Sequence, residues 1–442
     1  MWFVGAKYNM DENSDKYNVW NMYGLKGNPF TTDPLSVYGD DLPIKESFFG
    51  REKEVEKIKK IIYSNKTSRI LVYGDIGIGK TTFVNYAKYE AIQSKYFTPL
   101  GELGVQYNWT PEDFMFNTVS AVYTAIDRTK TIKDKMPKEL MQKLNVLFGM
   151  ERGYSFGGGF EALGTGITAE KSKSFGVPRL NALTIKMLFQ EIIDELIKMG
   201  FKGIIIHYNN LELIQEKGEN QLKRIMNGIR DFLQIQNAHF IFVSDKTLYE
   251  LFQQMPRVED IFQTPILLNS FNFSEIKQII AKRIQLLKVN SQVNPIIPFE
   301  DETLDILFKL YSGNLRGILR GLECAVNETS SARPVRISPN ILKSTLFKFA
   351  QNRFLSKFSR EDSNTIKILR RILEKKETTN KALSDHFKML PQNVSTSLTK
   401  LRDVGAVKLS REEGRSRYFV PSQEALWLLL EPTQETEGQT RI

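Results

Sequence analysis

The sequence predicts a mixed α/β protein with a parallel sheet, followed by an all-helical lid and a C-terminal winged helix. Three observations lead to this prediction. Apolar, strand-like runs alternate with helical periodicity up to residue 271, and helical periodicity alone continues from 272 to 355. Residues 356–430 then follow a helix–helix–helix–strand–strand order. Residues 1–50 form an N-terminal arm and 431–442 a flexible tail in this scheme.

Composition limits the possible classes of protein. A chain of 442 residues is too long for one compact core and indicates two or three domains. The net charge of +10 favours a polyanionic partner. Cys324 is the sole cysteine, so an intrachain disulfide framework is excluded. The sequence has no apolar run of membrane-spanning length and no signal-peptide pattern at its start, so we expect a cytoplasmic protein without a membrane partner.

The most specific motif is a glycine-rich loop that follows the apolar run 70–73 and precedes a helix-forming run. It fits the P-loop pattern, in which backbone N–H groups and the positive end of the following helix surround phosphates. Lys80 is expected to reach the β- and γ-phosphates of ATP, and the Thr81 hydroxyl to bind Mg²⁺. The residues predicted to contact the nucleotide here are Gly74, Asp75, Gly77, Ile78, Gly79, Lys80, Thr81 and Thr82.

Two short islands precede the P-loop: Asn28-Pro29-Phe30, and Phe49-Gly50-Arg51 followed by a glutamate. With the P-loop, this order resembles the AAA+ ATPases of the initiator type, which include archaeal origin-recognition and helicase-loader proteins. The resemblance covers most of the chain. It implies that Phe49, Gly50 and Arg51 lie near the adenine base.

The same resemblance implies three further residues of an ATPase site. Ser244, at the end of the predicted strand 239–243, matches the sensor-1 position near the γ-phosphate. Arg257 stands where an arginine finger would reach into a neighbour's site. Arg316, in the segment Ser-Gly-Asn-Leu-Arg that opens a helix of the lid, matches sensor 2. The alternative interpretations are a surface residue for Arg257 and an ordinary helix cap for the segment before Arg316.

The predicted buried strand 201–208 ends where a P-loop ATPase normally has its second acidic motif. Asn209 and Asn210 occupy the two expected acidic positions. Asn209 can still orient a magnesium-bound water, but Asn210 cannot accept a proton from the attacking water, so slow hydrolysis is expected. Glu212 is the nearest carboxylate along the chain, and from its spacing we expect it to point away from the site.

Two segments of the core have open interpretations. Lysines and arginines are concentrated between residues 128 and 143, which is typical of a solvated face or of a nucleic-acid contact. Residues 152–176 are rich in glycine and small residues, which predicts either an inserted β-hairpin or a disordered loop.

The predicted winged helix carries much of the chain's positive charge. Residues 357–425 contain 15 lysines and arginines and 9 acidic residues, a difference of +6 out of the total of +10. This concentration is typical of a DNA-binding surface. The residues predicted to contact duplex DNA lie on the third helix and on the wing: Gln392, Asn393, Ser395, Thr396, Lys400, Arg415 and Arg417. A winged helix used only for protein contacts is the alternative.

Taken together, these patterns predict an ATP-dependent, DNA-binding ATPase that forms a nucleotide-dependent homo-oligomer. A defence-type or signalling switch whose winged helix contacts a protein effector is the first alternative. A transcriptional regulator that uses ATP as a ligand is the second.

Overall fold

The computed structural model describes residues 18–38, 41–99, 101–149, 181–262, 264–290, 292, 294–330, 333–359, 362–413 and 416–431. The glycine-rich segment 152–176, Arg415 and the tail 432–442 lie outside these ranges. The chain divides into two compact units. One is Pro34–Asn269, and the other joins the N-terminal residues up to Asp33 with Ser270 and everything that follows it.

The unit Pro34–Asn269 contains a five-stranded sheet in the order β2-β3-β4-β1-β5, with every neighbouring pair parallel. The predicted parallel α/β fold is therefore confirmed. The second strand is short, because only two of its residues pair with β3. The strands are β1 (Ser68–Tyr73), β2 (Leu103–Gly104), β3 (Ile204–Asn209), β4 (Ala238–Ser244) and β5 (Thr264–Leu267).

Helices cover both faces of this sheet. Alternate side chains of one strand point to opposite faces, so Leu71 of β1 joins one apolar cluster while Ile70 and Val72 join another. The helices of the unit are α1 (Ile44–Ser47), α2 (Glu52–Ser64), α3 (Lys80–Gln93), α4 (Pro111–Arg128), α5 (Lys130–Lys133), α6 (Lys138–Gly149), α7 (Ala182–Lys198), α8 (Glu219–Ile229), α9 (Lys246–Gln253) and α10 (Pro256–Glu259).

The basic segment 128–143 spans the end of α4, all of α5 and the start of α6. Met136 and Leu140 are buried in the same apolar cluster as Leu71. Lys133 forms an ion pair with Asp127 at 2.8 Å. The segment is therefore an amphipathic part of the packed unit.

The second unit begins its helical region with four helices, which correspond to the predicted all-helical lid. Residues that sequence reasoning considered as a surface arm also belong to this unit. Tyr23 is fully buried, and its hydroxyl donates to the carbonyl of Val335 at 2.8 Å. Arg283 donates to the carbonyl of Thr31 at 2.7 Å. The four helices are α11 (Phe273–Leu286), α12 (Asp301–Tyr311), α13 (Leu315–Thr329) and α14 (Pro339–Phe354).

Three more helices and a small antiparallel sheet follow, in the order predicted for the winged helix. A two-residue strand, which the sequence did not indicate, pairs with the second strand of the hairpin, so the sheet order is β6-β8-β7. The elements are α15 (Ser363–Lys375), β6 (Thr378–Thr379), α16 (Asn380–Phe387), α17 (Pro391–Asp403), β7 (Val407–Glu413) and β8 (Ser416–Pro421).

After β8 the chain returns to the lid helices. Trp427, which is 1% exposed, packs edge-to-face on Phe349 of α14 with ring centroids 5.4 Å apart. Glu424 forms ion pairs with Arg320 of α13 and, at 2.5 Å, with Arg353 of α14. The residues after the wing thus tie the last three helices to the lid. Across the described ranges, no helix combines the length and the apolar character needed to cross a bilayer.

Candidate nucleotide-binding site

The P-loop connects the carboxyl end of β1 to α3, and its shape depends on glycine. Gly74 has φ +155°, and a Cβ atom at this position would lie 2.4 Å from the carbonyl oxygen of Leu268. Any larger residue would push the loop away from Leu268, the residue that follows β5. Because ligands of parallel α/β sheets bind outside the carboxyl ends of the strands, the loop lies at the expected edge.

Lys80 is the first residue of α3, and its side chain turns back over the loop. Its Nζ donates to the carbonyl oxygens of Gly74, at 2.8 Å, and Asp75, at 2.9 Å. The ammonium group is thereby held above the backbone that would surround phosphates. The N-terminus of a 14-residue helix adds its unpaired N–H groups to the same place.

Several side chains in and next to the loop make stabilising contacts. Asp75 forms an ion pair with Lys246 of α9, with Oδ2 and Nζ 2.8 Å apart. Ile78 is fully buried. The Thr82 hydroxyl accepts a hydrogen bond from the backbone N–H of Leu35 at 3.2 Å. The sequence did not single out Lys246, which engages the carboxylate of Asp75.

Of the predicted adenine-side residues, Arg51 contacts the same loop. Arg51 donates to the carbonyl of Asn269 at 2.5 Å and to that of Ile78 at 3.4 Å. Gly50, at φ +63°, is buried, and Phe49 is half-buried. Arg51 therefore connects the segment before α2 to the P-loop and to the end of the unit.

The two residues predicted for the metal site are adjacent. Asn209, at the carboxyl end of β3, donates through Nδ2 to the Thr81 hydroxyl at 3.3 Å. The same Nδ2 donates to Oε1 of Glu102 at 2.8 Å. Sequence reasoning missed Glu102, because only the pairing of β2 with β3 places it beside Asn209.

Asn210 and Glu212 occupy the turn after β3. Asn210 is exposed and has φ +59°, a left-handed conformation that asparagine and aspartate adopt more readily than most residues. That Glu212 points away from the site stays a prediction. Burial raises its pKa, and its carboxylate interacts electrostatically with both Asp245 and Lys80. The chain forms a 3₁₀ helix from Leu211 to Lys217.

A buried lysine lies behind the site. Lys88 of α3 is fully buried and donates to the carbonyl oxygen of Gly101 at 3.1 Å. Burial lowers its pKa to about 8, and the charge of Glu102 opposes this shift. His207 of β3 is also buried, and burial together with Lys88 lowers its pKa, so this imidazole is neutral. The spacing of Lys88 from Lys80 along the helix did not indicate that the Lys88 side chain is buried.

The predicted sensor residues are found on three different elements. Ser244 ends β4, pairs in register with Tyr73 of β1, and is 1% exposed. Arg257 is exposed on the short helix α10. Arg316 is exposed in the first turn of α13, whose start is capped by Asn314 accepting from the N–H of Gly317 at 3.1 Å. Arg316 belongs to the second unit, and its sensor role stays a prediction.

The predicted DNA-contacting residues of α17 share one exposed surface. Ser395 accepts a hydrogen bond from Asn380 of α16 at 2.7 Å. Lys400 forms an ion pair with Asp362 at 2.6 Å, so part of its charge is already compensated. On the wing, Arg411 pairs with Glu377 and stacks over Tyr418. The exposed residues are Gln392, Asn393, Ser395, Thr396, Lys400 and Arg417.

The donor set at the P-loop fits a magnesium–nucleotide complex better than a metal held by protein alone. In the residues that the structure describes, no group of three or more His, Cys, Asp or Glu side chains could hold an ion. Magnesium commonly keeps several waters and binds through few protein groups plus substrate phosphates. The Thr81 hydroxyl and the Asn209 amide are suited to such a partial site.

Comparison with known proteins finds similarity at the level of structure. No family model and no curated protein matches the chain. The ORC2 protein of Aeropyrum pernix is 15% identical, with a TM-score of 0.46, and the match covers 91% of this chain and 95% of that one. The ORC1 protein of the same organism is 14% identical, with a TM-score of 0.43 and coverages of 90% and 95%. The Walker-type ATPase paby2304 of Pyrococcus abyssi is 12% identical, with a TM-score of 0.47, and the match covers 91% of this chain and 99% of that one.

The strand order, the P-loop motif after β1 and the helices on both faces of the sheet define the fold of this chain. It is an α/β protein with a parallel five-stranded sheet, and its P-loop motif lies at the carboxyl end of β1.

Proposed function

We propose that this protein is an ATP-dependent switch that assembles on duplex DNA. ATP with Mg²⁺ would bind at the P-loop of the unit Pro34–Asn269, with Lys80 on the phosphates and Thr81 and Asn209 at the ion. The magnesium ion would neutralise phosphate charge. The observation that carries this proposal is the P-loop at the carboxyl ends of a parallel sheet, with Asn209 within hydrogen-bond distance of Thr81.

The exposed polar surface of α17 supports DNA as the partner. Its side chains present amides and hydroxyls that can reach base edges or phosphates. Arg257, exposed on α10, is available to a second copy of the chain. In this proposal an arginine from a neighbouring copy contacts the nucleotide and makes assembly depend on ATP.

A protein-effector switch is the second candidate, and one observation favours it. Lys400 and Arg411 are paired with carboxylates, which reduces the charge available to phosphates. A DNA-free assembly that responds to ATP would favour this candidate, or the ATP-liganded regulator, over the first.

Mass photometry of the full chain would separate these functions. Four conditions are needed: no ligand, ATP with Mg²⁺, duplex DNA, and both together. We expect larger particles only when ATP and DNA are both present. Assembly with ATP alone would contradict DNA-templated assembly and support a free switch. A particle mass that ignores ATP in every condition would contradict a nucleotide-controlled function altogether.

Hydrolysis is expected to be slow, at about 0.1 per second or less, because the loss of a general base typically costs about 10²–10⁴-fold from an ordinary turnover number. Phosphate release by the purified chain, with Lys80→Ala as the background control, measures this rate. Asn210→Asp should raise the rate of hydrolysis, because it supplies the missing carboxylate. Aspartate also tolerates the left-handed backbone of residue 210.

Turnover at several per second, lost in Lys80→Ala, would contradict this expectation. Glu212 would then be the next candidate for the proton acceptor, because its carboxylate interacts electrostatically with Lys80. If Glu212→Gln also removed the activity, Glu212 would be the proton acceptor in place of residue 210.

A further inference from the structure

The described residues around the P-loop contain an acidic group that the sequence motifs do not predict. Glu102 immediately precedes β2, and its side chain is exposed at the carboxyl edge of the sheet. Its strand pairs with β3 so that Gly104 lies opposite Asn209. A carboxylate from the second strand thus stands next to the position where the third strand has asparagine.

The hydrogen bonds of Asn209 determine the orientation of its side-chain amide. A carboxylate only accepts hydrogen bonds, so the amide of Asn209 must turn its NH₂ group towards Glu102. The distance from Nδ2 to Oε1 of Glu102 is 2.8 Å, and Nδ2 lies 3.3 Å from the Thr81 hydroxyl. Glu102 therefore selects one of the two amide orientations of Asn209 beside the residue predicted to hold the metal.

Glu102 is itself placed by a buried contact. Lys88 donates to the carbonyl of the preceding residue, Gly101, at 3.1 Å. Lys88 is fully buried in α3, the helix that begins with Lys80 and Thr81. The segment that carries Glu102 is consequently fixed to the same helix as the P-loop lysine.

Other carboxylates near the loop are used differently. Asp75 is paired with Lys246 at 2.8 Å, and Glu212 is half-buried and interacts electrostatically with Asp245 and Lys80. Of these three carboxylates, Glu102 is the one hydrogen-bonded to the partner of Thr81.

We propose that Glu102 supplies, from the second strand, the negative charge that Asn209 and Asn210 lack, and that it acts through Asn209 as a positioning residue of the magnesium–nucleotide site. This inference rests on the proposed ATP site. It assigns the acidic character of the site to a residue 107 positions away from Asn209 along the chain.

The test compares the affinity for ATP with Mg²⁺ against the affinity for ATP in a chelator, by equilibrium binding to the full chain. In the unaltered protein Mg²⁺ should strengthen binding. Glu102→Gln should remove at least about tenfold of that gain, because it replaces a charge-assisted hydrogen bond by a neutral one. Binding of metal-free ATP should be unchanged. Glu219→Gln, an exposed carboxylate of the same unit on α8, is the matched control.

Rescue distinguishes a charge requirement from a shape requirement. The double variant Glu102→Gln with Asn209→Asp exchanges the two groups and keeps both the total charge and the hydrogen bond. We expect it to recover most of the magnesium-dependent gain. Since the glutamine replacement keeps the size of an exposed side chain, all variants should fold, and thermal unfolding checks this.

Three results would overturn the inference while leaving the ATP site intact. They are an unchanged magnesium effect in Glu102→Gln, an equal loss in Glu219→Gln, and a double variant no better than Glu102→Gln. If the unaltered protein bound no ATP, the proposed function would fail first, so the two failures are distinguishable.

Discussion

Replacing Lys80 by alanine is expected to lower the affinity for ATP by about 10- to 160-fold. The side chain is the cation of the P-loop, and a hydrogen bond to a charged group contributes roughly 1.5–3 kcal/mol. The existing bonds from Nζ to the carbonyls of Gly74 and Asp75 show that the loop already holds the ammonium group in place. Because the side chain is already held at the loop, we expect a small ordering cost for the lysine when phosphates bind.

Equilibrium titration with a fluorescent ATP analogue measures this loss. Lys202→Ala is a suitable control, because Lys202 is exposed in the same unit and precedes β3 at its amino end, away from the carboxyl edge that carries the loop. The control should bind like the unaltered chain. Retained affinity in Lys80→Ala, with a normal unfolding temperature, would show that the P-loop assignment is wrong.

The second large effect concerns DNA. Gln392→Glu together with Thr396→Glu is expected to reduce the affinity for duplex DNA by at least about 100-fold. Both side chains are exposed one turn apart on α17, so the variant places two negative charges on the surface predicted to face the phosphates. Each lost or repelled phosphate contact weakens binding and its salt dependence. The slope of log affinity against log salt should fall as well.

Point substitutions are a cleaner test than deletion of residues 357–442. Such a truncation would remove Trp427 from its contact with Phe349, and it would break the ion pair between Glu424 and Arg353. The lid would then expose apolar surface, and a loss of DNA binding would have two explanations.

Fluorescence anisotropy with a labelled duplex at several salt concentrations measures the effect. The matched control is Ser344→Glu together with Gln351→Glu, which adds the same charge to exposed positions of α14. If the α17 variant and the control bind DNA equally, α17 does not carry the contact. The basic segment 128–143 would then be the next surface to test.

The sequence by itself determined the P-loop, the alternation of strands and helices, and the class of the fold. These features depend on local rules: a glycine motif between a strand and a helix, and the periodicity of apolar residues. The helical region 272–355 was predicted, because the apolar periodicity of its helices is contiguous in sequence. Asn209 and Asn210 were likewise recognised as departures from an acidic motif, because they directly follow a predicted buried strand.

Only the tertiary structure decided which strands are neighbours, and the details of the site follow from that order. The pairing of β2 with β3 brings Glu102 to Asn209. No periodicity reports the lateral order of parallel strands, which is set by how helices pack across the sheet. In the same way, Lys88 reads as an ordinary helical lysine until its burial against Gly101 is known.

The N-terminal segment gives a second example of this difference. Its composition, rich in asparagine, aspartate and glycine, indicates an irregular arm. Yet Trp20, Tyr23 and Phe30 are buried with helices from far along the chain, and Tyr23 contacts Val335. Such a contact depends on the position of a distant surface in space. Local sequence rules describe the backbone of the segment, whereas the free energy of burying its aromatic rings comes from a partner more than 300 residues away.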